Sequence, residues 1–204
     1  MNSTTLYYIF DPMCSWCWGF NTVWEKVKAS LPNSINIQYV LGGLAPDSDE
    51  PMNNEMRDYI VKNWQKIEMT IPGTKFNYDF WENCQPKRST YPACRAVIAV
   101  REQKPKLQAK MTQLIQKAYY LEAQNLSEDD TLIALASTLD IDIKNFGKNL
   151  NDTQTQALLL NDIALSKKLG VNSFPSLVLQ TNNKLKLIKI NYNNPDLILN
   201  QIIT

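Results

Sequence analysis

TLYYIFDPMCSWCWGF, residues 5–20, runs from an apolar, aromatic segment directly into a helical spacing, and the junction carries two cysteines. Residues 5–10 have the length and residue types of a buried strand, and Asp11-Pro12 breaks it. From about Ser15 to Ser30, Phe20, Val23, Trp24 and Val27 fall on one helical side, and Leu31-Pro32-Asn33 ends the run. INIQYVL then reads as a second strand, from Ile35 to Leu41, closed by Gly42-Gly43. The first 43 residues thus form a β-α-β unit, with Cys14 and Cys17 where strand turns into helix.

The middle of the chain is helical. Met52, Met56, Ile60, Trp64 and Ile67 recur every three or four residues, and Pro51 suits the first turn of that helix. Residues 70–92 read as a loop rich in Asn, Pro and aromatics, and a strongly apolar helix starts just after Pro92. Leu107, Met111, Leu114, Ile115 and Ala118 mark a further helix. Ser127 and Asp130 have the spacing of a capping box ahead of Leu132, Ile133, Leu135 and Leu139. Another helix runs from about Thr153 to Leu169 and stops at Gly170. SLVLQ and KLKLIKI read as strands joined by an Asn182-Asn183 hairpin turn, and residues 195–203 as a last helix. The second of these strands is an edge strand whose lysines discourage pairing. The order is β-α-β, a helical block, then α-β-β-α.

Composition narrows the chemistry. With 204 residues, 44% apolar and 20% charged, the chain is long enough for one sizeable core and has the balance of a globular protein. A formal net charge of +1, with Lys and Arg spread along the chain, points to neither nucleic acid nor an anionic membrane. No apolar run approaches the ~20 residues of a membrane span. MNSTTLYYIF has no basic n-region and no long apolar h-region, so a cytoplasmic location is expected. The sequence contains no histidine. That removes Ser-His-Asp and Cys-His nucleophile pairs, histidine general bases and histidine metal sites.

Thiol–disulfide exchange needs an accessible thiolate and a second thiol near enough to resolve the mixed disulfide. A CxxC at the first turn of a helix supplies both. Unpaired N–H groups and the positive end of the helix favour the Cys14 thiolate, while Cys17, one turn deeper, resolves. Ser15-Trp16 between the cysteines adds no cation to that effect. Asp11, three residues before Cys14, reads either as a proton acceptor for the resolving thiol or as a turn residue before Pro12. Other uses of the pair stay open. A structural disulfide across so small a loop contributes only about 2 kcal/mol and is disfavoured in a reducing compartment. A zinc site needs four ligands and would have to recruit Cys84 and Cys94. Two inert buried thiols is the plainest alternative. Cys84 and Cys94 themselves read as separate thiols rather than a second redox pair.

DPMCSWCWGF, LGGL, FWEN, RSTYPACRAVIA and GVNSFPSLVL, spread over residues 11–179, resemble the DsbA family, and more closely its cytoplasmic, FrnE-like branch. The resemblance implies an α/β, thioredoxin-like fold with a large inserted helical domain: residues 1–45 and 150–204 as the thioredoxin-like domain, residues 46–149 as the insertion. It implies thiol–disulfide oxidoreductase or protein disulfide isomerase activity without a bound cofactor, with Cys14 as nucleophile, Cys17 as resolving thiol and Pro175 as a cis proline facing them. Phe174 would then pair its backbone with a substrate chain, and Trp16, Trp18 and Thr90 are candidate substrate contacts. The partners implied are protein or peptide thiols and disulfides, a thioredoxin-type reductant, or glutathione, which Arg88, Ser89 or Thr90 would touch. The lack of a leader segment and the Ser15-Trp16 dipeptide depart from periplasmic members, so a reductase, isomerase or relay is expected rather than a strong oxidant. Kappa-class glutathione transferases and chromene-carboxylate isomerases share the architecture but carry one hydroxyl-bearing residue where this chain has Cys14. Against an enzyme of either kind stands a non-enzymatic redox sensor or peptide binder. Turnover that survives Cys17→Ser marks the transferase, and binding that survives Cys14→Ala marks the binder.

Overall fold

Strand alternation builds the centre of the molecule. In the computed structural model, which describes residues 4–182 and 184–203, β1 (Thr4–Phe10) pairs in parallel with β2 (Ile35–Leu41) and antiparallel with β3 (Ser176–Thr181). β3 pairs antiparallel with β4 (Lys184–Ile188), giving the strand order β2-β1-β3-β4. Leu6, Tyr8 and Phe10 of β1 enter a large core with Phe20, Val23, Trp24 and Val27 of helix α1 (Ser15–Ser30). Ile9 points the other way and joins Val40, Val171 and Val178 in a smaller cluster. Leu165 and Leu169, from helix α8 (Thr153–Lys168) and its C-cap, cover that second face. The period-2 side-chain alternation of a strand thus gives each sheet face its own apolar layer. Helix α9 (Asp196–Ile203) packs against α1 and β4. Asn182 sits at φ +51 in the β3–β4 turn, and Asn183, the second residue expected there, lies outside the described residues.

Between β2 and β3 the chain also forms α2 (Asn54–Thr70), the single turn α3 (Phe80–Asn83), α4 (Tyr91–Gln103), α5 (Gln108–Tyr120), α6 (Asp129–Ser137) and α7 (Ile143–Leu150). Residues 93–100 of α4 are all buried, because α5, α6, α7 and α8 surround it; a helix enclosed on every side reads apolar all round. A ring cluster centred on Trp64 of α2, with Phe76 stacked at 4.8 Å and Phe80, Trp81, Tyr119 and Tyr120 around it, ties the 71–90 segment to α2 and α5.

Four local expectations change. Helix α2 starts at Asn54, not around Pro51: the Asn53 side chain accepts from Met56 N at 2.8 Å, while Pro51 is held in a bridge with Lys87. The capping box does not form, because Ser127 Oγ accepts from Lys87 N at 3.0 Å and Glu128 takes the N-cap position of α6. The 70–92 loop contains the turn α3, and α7 occupies a stretch with no expected element. Among the described residues, no helix is long and apolar enough to cross a membrane.

Candidate functional site

Cys14 is the N-cap residue of α1, with φ −80 and ψ 116, and Cys17 lies in the helix's first turn. The Cys14 N–H donates to the Asp11 carbonyl at 3.1 Å and its own carbonyl accepts from Trp18 N at 3.1 Å, so the loop and helix fix the thiol's direction. Cys14 Sγ donates to the Phe174 carbonyl at 3.5 Å. The Phe174–Pro175 peptide is cis, and Pro175 immediately precedes β3. The tip of the Phe174 ring comes so close to Gly42 that a Cβ there would sit 2.1 Å from its Cζ.

The two thiols differ in access. Cys14 is 7% exposed and lines a cavity of about 310 Å³, whereas Cys17 is wholly enclosed. Burial pushes the Cys17 thiol well above the usual range, and the neighbouring Cys14 sulfur adds to that. A cavity-lining thiol with a second, fully enclosed thiol in the first turn behind it can carry out two-step thiol exchange. No disulfide joins any of the four cysteines. Cys84 Sγ donates to the Ala123 carbonyl at 3.3 Å and Cys94 Sγ to Asp11 Oδ2 at 3.5 Å, so these two are separate thiols. Among the described residues, no cluster of Cys, Asp and Glu is arranged to hold a metal.

Of the other candidates, Trp16 lines the cavity but is only partly accessible: Tyr192 packs on its ring at 5.1 Å and Lys66 Nζ sits 6.0 Å from the ring centroid. Trp18 turns away from the cavity. Its Nε1 donates to the Lys75 carbonyl at 3.1 Å and its ring stacks on Tyr120 at 5.5 Å, which joins α1 to the helical block. Thr90 stands at the cavity wall, but its hydroxyl is committed inward, donating to Asp11 Oδ2 at 2.7 Å and accepting from Ala45 N at 3.1 Å.

Asp11 is the residue whose surroundings sequence reasoning missed. It is fully buried, and its carboxylate accepts from Met13 N (2.8 Å), Leu44 N (2.7 Å), Thr90 Oγ1 and Cys94 Sγ. Burial raises its pKa, against the pull of these donors. Its side-chain hydrogen bond to a thiol goes to Cys94, and Cys17 meets only its charge and its backbone. The signal was Asp11 itself, three residues from Cys14; its partners are up to 83 residues away and left no trace in the local pattern.

A crystal structure of a protein from Nitrosomonas europaea proposed to be a disulfide isomerase superposes with a TM-score of 0.84 at 27% identity, covering 97% of this chain and 95% of that one. The cytosolic disulfide reductase DsbM from Pseudomonas aeruginosa, also solved with GSH, superposes at 0.75 and 22% identity over 91% of this chain and 89% of its own. Among curated proteins, the ClpXP adapter protein SpxH of Halalkalibacterium halodurans is 24% identical over 87% of this chain, and that of Bacillus subtilis 23% over 84%. The chain spans only 59% and 56% of those two relatives. A family model described as thioredoxin matches residues 7–199, and on that span the chain belongs to the thioredoxin family, with a DsbA-like fold.

Proposed function

We propose that this chain is a thiol–disulfide oxidoreductase working through Cys14 and Cys17. The observation that carries the reading is the pairing of a largely buried Cys14, set at the N-cap of α1 on a cavity wall, with a fully enclosed Cys17 one turn behind. The Cys14 thiolate attacks one sulfur of a substrate disulfide, and the departing thiolate takes up a proton. Cys17 then gives up its proton and attacks the Cys14 sulfur, which closes the Cys14–Cys17 disulfide and frees the second substrate thiol. Run backward, the same steps oxidise a dithiol. In this reading the Phe174 carbonyl and Pro175 present the strand-start backbone to the substrate, Trp16 gives it an apolar wall, and residues 46–149 form the insertion that roofs the site. Substrates are protein or peptide thiols, or glutathione as reductant; the GSH complex of the DsbM neighbour supports the latter. The cytosolic description of that neighbour fits a cytoplasmic reductase or relay.

The test is the reduction potential of Cys14–Cys17 in glutathione buffers, read by Trp16 and Trp18 fluorescence, with Cys17→Ser as the control that accumulates a mixed disulfide. A value near or below about −230 mV supports a reductase or relay, and one above about −180 mV an isomerase or oxidant. If no reversible pair titrates, the reading fails. Turnover that survives Cys17→Ser fits the one-residue chemistry of the transferases instead.

A second reading draws on the SpxH likeness, which extends over 87% of this chain: a non-enzymatic adapter that binds polypeptide. It predicts binding that survives Cys14→Ala, with no disulfide turnover by the unaltered protein.

A further inference from the structure

β4 closes the sheet on one side. It pairs with β3, and among the described residues no strand pairs with its other edge. In an antiparallel ladder the backbone groups point alternately toward the partner and away from it. Every second residue of Lys184–Ile188 therefore offers its N–H and C=O to the open edge. Residues 184–187 are all exposed, and their side chains alternate between the two faces of the sheet. Ile188 joins Ile198, Leu199 and Ile202 of α9 in the large core. Lys186, on the same face, donates from Nζ to the Gln201 carbonyl at 2.7 Å. Lys184 shares that face by the period of the strand, and its side chain has neither an ion pair nor a hydrogen bond among the described residues.

Leu185 and Leu187 point to the other face. Their partners across the ladder are Gln180 and Val178, and Val178 belongs to the smaller cluster with Ile9 and Val40. α8 covers that cluster from the β2 side, and Leu185 and Leu187 stay 49% and 66% exposed. One exposed leucine is ordinary; two in register on a strand with an unpaired edge make a surface. Charge is sorted along the same strand. Residues 170–204 hold Lys184, Lys186 and Lys189 against one acid, Asp196, in a chain whose formal net charge is +1. These lysines turn away a second copy, because a two-fold antiparallel pairing would set lysine against lysine on one face. They favour a strand with carboxylates on that face, since opposite charges across a pair attract.

We propose that the free edge of β4 is a docking site for an extended polypeptide segment that alternates acidic and apolar residues. The segment adds one more strand to the sheet. Its main chain bonds the unpaired edge, its carboxylates face Lys184 and Lys186, and its apolar side chains lie beside Leu185 and Leu187. Main-chain bonds supply the affinity, and the two unlike faces of β4 supply the selectivity. No residue of β4 lines the thiol cavity, so the surface lies outside the exchange site and its occupant requires no thiol.

The experiment uses the full chain and fluorescein-labelled synthetic octapeptides: alternating Glu-Val, alternating Ser-Val, alternating Lys-Val, and a peptide with the Glu-Val composition in two blocks. Fluorescence anisotropy at low salt is expected to rank Glu-Val first, Ser-Val next and Lys-Val last, with the block peptide below Glu-Val. Lys184→Glu turns an attraction into a repulsion and should weaken Glu-Val binding about tenfold while strengthening Lys-Val. Leu187→Ser should weaken every alternating peptide, because it removes apolar surface from the other face. Strand addition has its own signature. The N–H groups of the valines face one edge of the peptide and those of the glutamates the other. N-methylation of one set should therefore abolish binding and N-methylation of the other should spare it. Cys14→Ser protein should bind as wild type does. Glu-Val that fails to bind, binds no tighter than the block peptide, loses equally on methylation of either set, or ignores Lys184→Glu overturns the proposal. So does binding that requires Cys14, which moves the peptide to the thiol cavity. A dimer seen by sedimentation that Leu187→Ser dissolves overturns it too, because the occupant is then a second copy.

Discussion

Four donors converge on the Asp11 carboxylate, and no cation is among them. Every partner donates a hydrogen bond to a carboxylate oxygen, so the hydrogen-bond pattern is that of an ionised carboxylate held in place by dipoles. Its cost appears as a pKa raised above 3.8, with desolvation the leading cause. A folded-state pKa above the unfolded one means that the group's stabilising contribution is complete below about pH 3.8 and is lost as pH rises through the folded value. Wild type should therefore gain stability relative to Asp11→Asn as pH falls from neutrality toward 4, read from urea midpoints across that range. Thr90 tests the same knot from its other side. Thr90→Val leaves Ala45 N without an acceptor and removes one donor from Asp11, and it should destabilise by about 1–3 kcal/mol. Thr90→Ser, which keeps the hydroxyl, should recover most of that loss in the same urea titration.

The end of β2 and the start of β3 position the site as elements. The Gly42 N–H donates to the Phe10 carbonyl at 2.7 Å, which holds the residue under the Phe174 ring, and no side chain fits between them. Gly42→Ala should displace the ring and with it the carbonyl that faces Cys14. Overpacking of this kind costs about 1–3 kcal/mol, and a displacement near 1 Å at reacting groups costs about 10²-fold in rate. Single-turnover reaction of Cys14 with a small disulfide checks the rate, and a urea titration checks the stability. The sheet was legible in the sequence because residues 5–10 and 35–41 are short runs rich in aromatic and β-branched residues closed by breakers, a signal that needs no distant partner, while the split of Leu6, Tyr8 and Phe10 from Ile9 between two faces appears only in the structure. α4 and α8 were legible for similar reasons: one is almost uniformly apolar, the other ends at Gly170 with φ +77. α7 was not, although Asp142 caps it and Ile143, Phe146 and Leu150 keep helical spacing. Its KNFGKN interior is made of residues that favour coil or turn, and tertiary packing against α4 and α6 decides the outcome. At the site, Cys14 and Cys17 stood out by their spacing at a strand–helix junction and Pro175 only through the family resemblance, whereas Thr90's inward hydroxyl depends on a partner 79 residues away.

Across the whole molecule, the interior holds protons that the unfolded chain would release. Burial pushes the Cys17 and Cys94 thiols well above 9.0 and the Tyr8 and Tyr120 phenols well above 10.0. All four have raised folded-state values, so their stabilising contribution is intact below the unfolded values and drains away as pH climbs past them. The folded state should weaken from about pH 9 upward, each such group adding up to about 1.4 kcal/mol per pH unit to the slope. Tyr120→Phe isolates one contribution. The Tyr120 hydroxyl is buried without a hydrogen-bond partner among the described residues, so its removal should cost little at pH 7. The same substitution should flatten the decline above pH 10 by that single-group amount, and an unchanged slope between pH 10 and 11 would show that the phenol ionises freely in the folded state. Redox state enters the same balance. Closing the Cys14–Cys17 disulfide removes the Cys17 proton from the count, so the oxidised protein should lose stability less steeply above pH 9 than the reduced one. Urea midpoints measured for both redox forms from pH 7 to pH 11 would join the alkaline limit of the fold to the thiol pair at its site.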